Sequence, residues 1–182
     1  NLQFILALIE MQSNSEIEES GKVILSEFSQ RVMAIALVHE QLHIDDKSEF
    51  VLTSSYVKQL IKSLEQLIGV KASPIEFKLE LAPINLDVTR AVAIGMVLNE
   101  LVTNSMKYAF HSVRHPLITV VLREDVDLSN ISLEYTDNGS GYSDDVASGL
   151  GSRLINMLSR RLRGQFEIMS NDGVKYRITF AK

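Results

Sequence analysis

Four short segments in the second half of the chain carry side chains whose types and spacing could do chemistry. In the run Asn99-Glu100-Leu101-Val102-Thr103-Asn104-Ser105-Met106-Lys107-Tyr108, the residues Glu100, Asn104 and Tyr108 stand at i, i+4 and i+8. A helix brings them to one side, with Lys107 beside them. A carboxylate and a carboxamide so placed can hold a hard cation and its waters through oxygen, and the lysine can pair with a phosphate. In Asp137-Asn138-Gly139-Ser140-Gly141, an acceptor-only carboxylate could accept the exocyclic amine of a purine. Gly139 and Gly141 would let the backbone approach such a ring closely. Gly149-Leu150-Gly151-Ser152 opens a helix-patterned run, where free backbone N–H groups and the helix dipole favour a polyphosphate. Thr179, in a final strand-like run, could turn its hydroxyl to a ligand. Taken singly, each has an ordinary structural reading: a polar helix face, a glycine turn, a glycine-rich helix entry, a strand threonine.

The elements that must position these residues are legible in the apolar pattern. Residues 1–12 read as a helix with Leu2, Phe4, Ile5, Leu6, Leu8, Ile9 and Met11 on more than one face, which calls for enclosure by other helices. A polar stretch at 13–18 breaks the pattern, and a longer helix follows to about His43. Its seam, Leu25, Phe28, Val32, Ile35, His39 and Leu42, is heptad-like and flanked by further apolar residues, so a partner chain is expected to complete the bundle. Ile44 to Thr53 reads as a connector. Beyond it lie an amphipathic helix (Val57, Leu60, Ile61, Leu64, Leu67, Ile68) and a period-2 strand (Ile75, Phe77, Leu79, Leu81). Asp87 is placed to cap a long helix reaching to about Phe110. Strands are predicted at 117–124 and 130–136 around a polar turn, a helix at about 150–162, and a last strand pair at 165–170 and 174–180 joined by Asn171-Asp172-Gly173. The fold class is α+β: a helical hairpin followed by an α/β sandwich whose mixed sheet is covered on one face by helices.

Composition narrows the function classes. The chain has 182 residues, of which 18 are basic and 23 acidic, for a net charge of −5. Nucleic-acid binding needs a basic footprint that this balance does not supply, so no nucleic-acid partner is expected. With no cysteine, disulfide scaffolds, thiolate metal sites and cysteine nucleophiles are excluded. Apolar runs such as Phe4 to Ile9 and Val32 to Val38 are far short of the roughly 18 residues a membrane span needs, and Phe4 to Ile9 has no signal-peptide flanks. No membrane contact and a cytoplasmic location are expected for this segment, which reads as a piece of something longer.

The order and spacing of the four segments are more specific than any one of them. ExxxN on a helix, then D-x-G-x-G after a strand, G-x-G at a helix start and a threonine in the last strand resemble the Bergerat ATP-binding fold of histidine kinases, type II topoisomerases, Hsp90 and MutL-type proteins. Leu98 to Phe110 is similar to the N-box of a sensor histidine-kinase subfamily closely related to the HWE kinases. Asn1-Leu2-Gln3 and Ala36-Leu37-Val38-His39-Glu40-Gln41-Leu42 resemble that subfamily's dimerisation and phosphotransfer helices, so the likeness covers essentially the whole chain. The chain has no tryptophan, which sets it in the sibling branch rather than among the HWE kinases themselves.

The resemblance implies ATP and Mg²⁺ as cofactors. It implies that Asn104 ligates the metal, that Glu100 orders a metal-bound water or acts as a base, and that Lys107 contacts phosphate with Tyr108 near the nucleotide. It gives Asp137 the reading of adenine, with Gly139 and Gly141 shaping the loop and Thr179 supporting it through water. Gly149 and Gly151 would close over the phosphates at the end of a lid from Tyr142 to Ser148, and Ser152 departs from the bulkier apolar residue usual there. Residues 1–48 would be the dimerisation and histidine-phosphotransfer hairpin, and 49–182 the catalytic ATP-binding domain. The phosphoacceptor histidine of the subfamily falls about five residues before Asn-Leu-Gln, ahead of Asn1. The expected partners are a response-regulator receiver domain and a second copy of the chain.

Three other readings compete. His39-Glu40-Gln41-Leu42-His43 matches the H-E-x-x-H signature of zinc proteases. It has no convincing third ligand, since Asp46 and Glu49 stand where the extended motif has Gly and His, and its first histidine occupies the bundle seam. A phosphotransfer scaffold with a decayed ATP site is disfavoured by intact Glu100, Asn104, Asp137, Gly139 and Gly141. A serine kinase of the anti-sigma-factor type is disfavoured by the long helical hairpin.

Overall fold

The computed structural model describes residues 19–44, 50–68, 75–125, 129–141, 150–171 and 173–182. The predicted first helix, the break at 13–18, the turn at 126–128 and the lid lie outside the described residues. In chain order the elements are helix α1 (Glu19–Ile44), strand β1 (Phe50–Leu52), helix α2 (Thr53–Ile68), β2 (Glu76–Leu81), β3 (Asn85–Asp87) and α3 (Val88–Asn104). A π-helical turn (Ser105–Ala109) extends α3, followed by β4 (Leu117–Asp125), β5 (Asn130–Asp137), α4 (Leu150–Arg161), β6 (Gln165–Asn171) and β7 (Gly173–Ala181).

Five strands form one sheet in the order β2-β4-β5-β7-β6. β2 runs parallel to β4 and the other pairs are antiparallel, so the sheet is mixed, as the apolar pattern implied. Alternation assigns the two faces. Ile118, Val120 and Leu122 of β4, Ile131, Leu133 and Tyr135 of β5, and Val174, Tyr176, Ile178 and Phe180 of β7 are all buried on one face. The opposite face carries ion pairs instead: Glu134 with Lys175 and Arg177, and Glu80 with Lys78 and Arg123. The short β1 and β3 pair with each other apart from this sheet.

Helix α3 is the central support. Asp87 caps it, with Oδ1 accepting the Arg90 N–H at 3.0 Å. Both α1 and α4 pack on it. Gly95 sits where a Cβ would fall 1.6 Å from the Tyr56 hydroxyl, so the absence of a side chain is what lets α2 lie this close. That hydroxyl is buried and donates to the Ala34 carbonyl of α1 at 2.9 Å, tying three helices together. Burial pushes the Tyr56 phenol well above its ordinary range, so it stays a neutral donor.

Helix α1 meets the rest of the chain through residues that flank its seam. The face it turns to the main core is Ala34, Leu37 and Val38, not the heptad seam. Phe28 of the seam is 52% exposed, and Val32 packs with Ala36 and Met33 in a small separate cluster. The small Ala34 is what allows Tyr56 to reach the helix backbone.

Candidate nucleotide site

A cavity of about 310 Å³ opens between the end of α3 and the ends of β5 and β7. Its wall includes Asn104, Tyr108, Asp137 and Gly141 among the residues singled out from the sequence. Leu101, Ser105, Ala109, Tyr135, Val174 and Tyr176 complete most of the rest. The lining is apolar with a few fixed polar groups, the usual make-up of a small-molecule site. Tyr108 stands at the mouth, 57% exposed, and Tyr176 is braced from behind by Phe166, their rings stacked at 5.5 Å.

Asp137 is 3% exposed, and its carboxylate is held from three directions. Oδ1 accepts the Gly139 N–H at 2.9 Å and the Val174 N–H at 3.2 Å, while Oδ2 accepts the Ser105 hydroxyl at 2.5 Å. The Tyr135 hydroxyl in turn donates to Ser105 Oγ at 2.8 Å, shared with the Leu101 carbonyl at 3.2 Å. A buried carboxylate needs such donors, and a chain of hydroxyls that each donate onward fixes its orientation. One acceptor direction on Oδ2 is left over by this count, which suits an incoming amine.

The loop after Asp137 explains its glycines. A Cβ on Gly139 would fall 2.3 Å from the Ala109 side chain and 2.8 Å from its carbonyl, and the Ser140 N–H donates to that carbonyl at 3.1 Å. The loop is thus pinned on the π-helical turn. Gly141 has φ +78°, a conformation that favours glycine. Asn138 fastens the other side, accepting the Leu117 N–H and donating to the His115 carbonyl. π-turns recur at functional sites, and here the extra residue per turn falls between Asn104 and Tyr108.

Glu100 lies one turn before Asn104, outside the cavity lining and 8% exposed. Its Oε1 pairs with Arg31 Nε of α1 at 2.7 Å, and one turn further on the Thr103 hydroxyl donates to Gln30 Oε1 at 3.1 Å. Lys107 is partly buried on the π-turn and is not part of the lining. Gly151 falls in the first turn of α4, whereas Gly149 lies outside the described residues.

Thr179 requires a correction. It sits on β7 between Ser132 and Gln165, on the ion-paired face of the sheet away from the cavity. The inward parity of β7 belongs to the even-numbered residues, and it is Val174 and Tyr176 that reach the site. Ser105 and Tyr135 were not singled out from the sequence either. Tyr135 was accessible to the same parity rule, being two residues before Asp137 on one strand. Ser105 carried no local signal. The backbone of His39 to His43 is helical, and the histidine side chains lie outside the described residues.

Residues 1–68 match the histidine kinase family HisKA_2. The sensor histidine kinase PdtaS of Mycolicibacterium smegmatis is 27% identical over 161 residues, covering 87% of this chain and 32% of that protein. PdtaS of Mycobacterium tuberculosis is also 27% identical, over 162 residues. The chain therefore spans about a third of the length of these relatives. Among solved structures, the histidine kinase domain of the blue-light activated histidine kinase EL346 from Erythrobacter litoralis superposes with TM-score 0.77 at 18% identity, covering 98% of this chain and 94% of that one. The Acinetobacter baumannii histidine kinase AdeS gives 0.62 at 18% identity, over 100% of this chain and 95% of that one. The fold is that of the GHKL-type histidine kinases. Residues 1–68 thus resemble a histidine-kinase family in sequence, and the described residues share the fold of histidine-kinase domains.

Proposed function

We propose that this chain is the catalytic core of a two-component sensor histidine kinase from the branch next to the HWE kinases. It binds Mg-ATP, transfers the γ-phosphoryl to a histidine upstream of Asn1, and passes it from there to an aspartate of a response-regulator receiver domain. Residues 1–48 are the dimerisation and phosphotransfer hairpin and 49–182 the ATP-binding domain, with pairing to a second copy through the hairpin. The observation that carries this reading is Asp137, a carboxylate buried at the base of the cavity and held by three donors with one acceptor direction spare.

Asp137 accepts the adenine amine, Tyr108 covers the ring at the cavity mouth, and Tyr176 and Val174 floor it. Asn104, on the cavity wall, holds Mg²⁺, which when bound neutralises phosphate charge. Among the described residues no three acidic or histidine side chains cluster into a cation cage. A carboxamide oxygen such as that of Asn104 would suit Mg²⁺, a hard ion that needs few protein ligands. Glu100, a turn away, orders a water or takes the proton of the accepting imidazole, and Lys107, Gly149 and Gly151 contact the phosphates. Catalysis of this kind rests on positioning and charge neutralisation.

The full-length protein incubated with γ-labelled ATP tests the reading. An acid-labile, base-stable phosphoprotein that is lost in Asp137→Asn and Asn104→Ala is expected. A folded protein that neither binds nucleotide nor becomes labelled would favour the phosphotransfer scaffold with a decayed ATP site.

A further inference from the structure

We infer that Arg31, on the helix preceding the nucleotide fold, is a positioning residue for the reaction at Glu100. The inference rests on the kinase reading above and deepens it. Glu100 is nearly buried, its side chain 10% exposed, and a carboxylate in such a place is costly unless a cation and hydrogen bonds compensate. The compensation does not come from the ATP-binding fold. It comes from α1, whose Arg31 Nε donates to Oε1 at 2.7 Å across 69 residues of sequence.

Arg31 Nε donates to Oε1. A carboxylate held by a guanidinium N–H has a fixed orientation as well as a compensated charge. That is how outer partners orient metal-bound carboxylates and histidines in other sites. The register of α1 against α3 is set independently on either side. Gln30 accepts from Thr103 one turn along, and Ala34 accepts from Tyr56, itself seated on Gly95. The stretch of α1 around Arg31 is therefore fixed by two separate contacts, so that loss of the Thr103 contact alone leaves the Tyr56 contact to keep the register. A shift of α1 along α3 would release the orientation of Glu100.

Steady-state autophosphorylation of the full-length protein, with kcat and KM for ATP determined separately, tests this. Arg31→Gln is expected to lower kcat by about tenfold or more, the scale seen for outer-shell partners, with KM for ATP within about twofold of wild type. Arg31→Lys, which keeps a cationic donor, should recover a large part of the rate. Thr103→Val, which breaks the neighbouring contact only, should leave kcat within about twofold. A kcat unchanged in Arg31→Gln, a loss equalled by Thr103→Val, or a loss carried by KM would overturn the inference. So would a rise in kcat, which would make the contact a brake. The kinase reading fails separately, by absence of labelled wild-type protein, and Asp137→Asn binding measurements report on it without involving Arg31.

Discussion

At the scale of single residues, the site is organised by what a buried carboxylate requires. Asp137 has two backbone N–H donors and one hydroxyl, and Tyr135 and Ser105 relay a hydrogen bond toward it. Ser105→Ala removes a donor to a buried charge and strands the Tyr135 hydroxyl. We expect a loss of about 1–3 kcal/mol in stability, read by thermal unfolding, together with several-fold weaker nucleotide binding. Thr179→Val is expected to leave nucleotide affinity within twofold, because Thr179 is on the far face of the sheet; a large loss would mean that this face takes part. These two residues also mark how far the site was legible. Asp137, Asn104, Tyr108 and Gly141 could be read from residue type and spacing. Ser105 could not, since its role exists only where the end of α3 meets β5. Thr179 was assigned by order along the chain when strand parity decides, and counting back from buried Phe180 leads to Tyr176 and Val174.

Elements act through close approaches that a pattern of apolar residues does not display. The ends of α3 were visible in part: Asp87 marks its start, but nothing in Ser105-Met106-Lys107-Tyr108-Ala109 announces a π-turn. At Gly95, alanine would gain up to about 1 kcal/mol in helix propensity, yet its Cβ would displace the Tyr56 ring and cost the bond to Ala34. Overpacking of this sort costs about 1–3 kcal/mol, so Gly95→Ala is expected to be net destabilising in chemical denaturation. On the open face of the sheet, burial by itself would raise the Glu134 carboxyl, but the hydrogen bonds and charges of Lys175 and Arg177 outweigh it and hold the group below its ordinary 4.5. A depressed carboxylate contributes stability that is present above its unfolded value and lost as pH falls through the folded one. Wild type is therefore expected to lose stability below about pH 4.5 more steeply than Glu134→Gln, as followed by unfolding at a series of pH values.

Over the whole molecule, α1 is the element whose placement the sequence conveyed least. Its seam suggested a helix committed to a bundle. In the structure its Ala34, Leu37 and Val38 face joins the core of the nucleotide fold, and Arg31 and Gln30 reach α3. The helix therefore serves two sides at once: the flanking apolar residues seat it on the fold, and seam residues such as Phe28 stay exposed. The sandwich itself was legible, because alternation and periodicity are local. The parallel β2–β4 pairing and the β1–β3 ribbon were not, since they depend on which distant strands meet.

Calorimetric titration of this chain with a non-hydrolysable ATP analogue and Mg²⁺, for wild type and Asp137→Asn side by side, bears most directly on whether the cavity at the end of α3 is a nucleotide site. Saturable one-to-one binding by wild type, weakened at least about tenfold in the variant as expected for loss of a charge-assisted hydrogen bond, is the expected result. Equal binding by two folded proteins, or none by wild type, would contradict it.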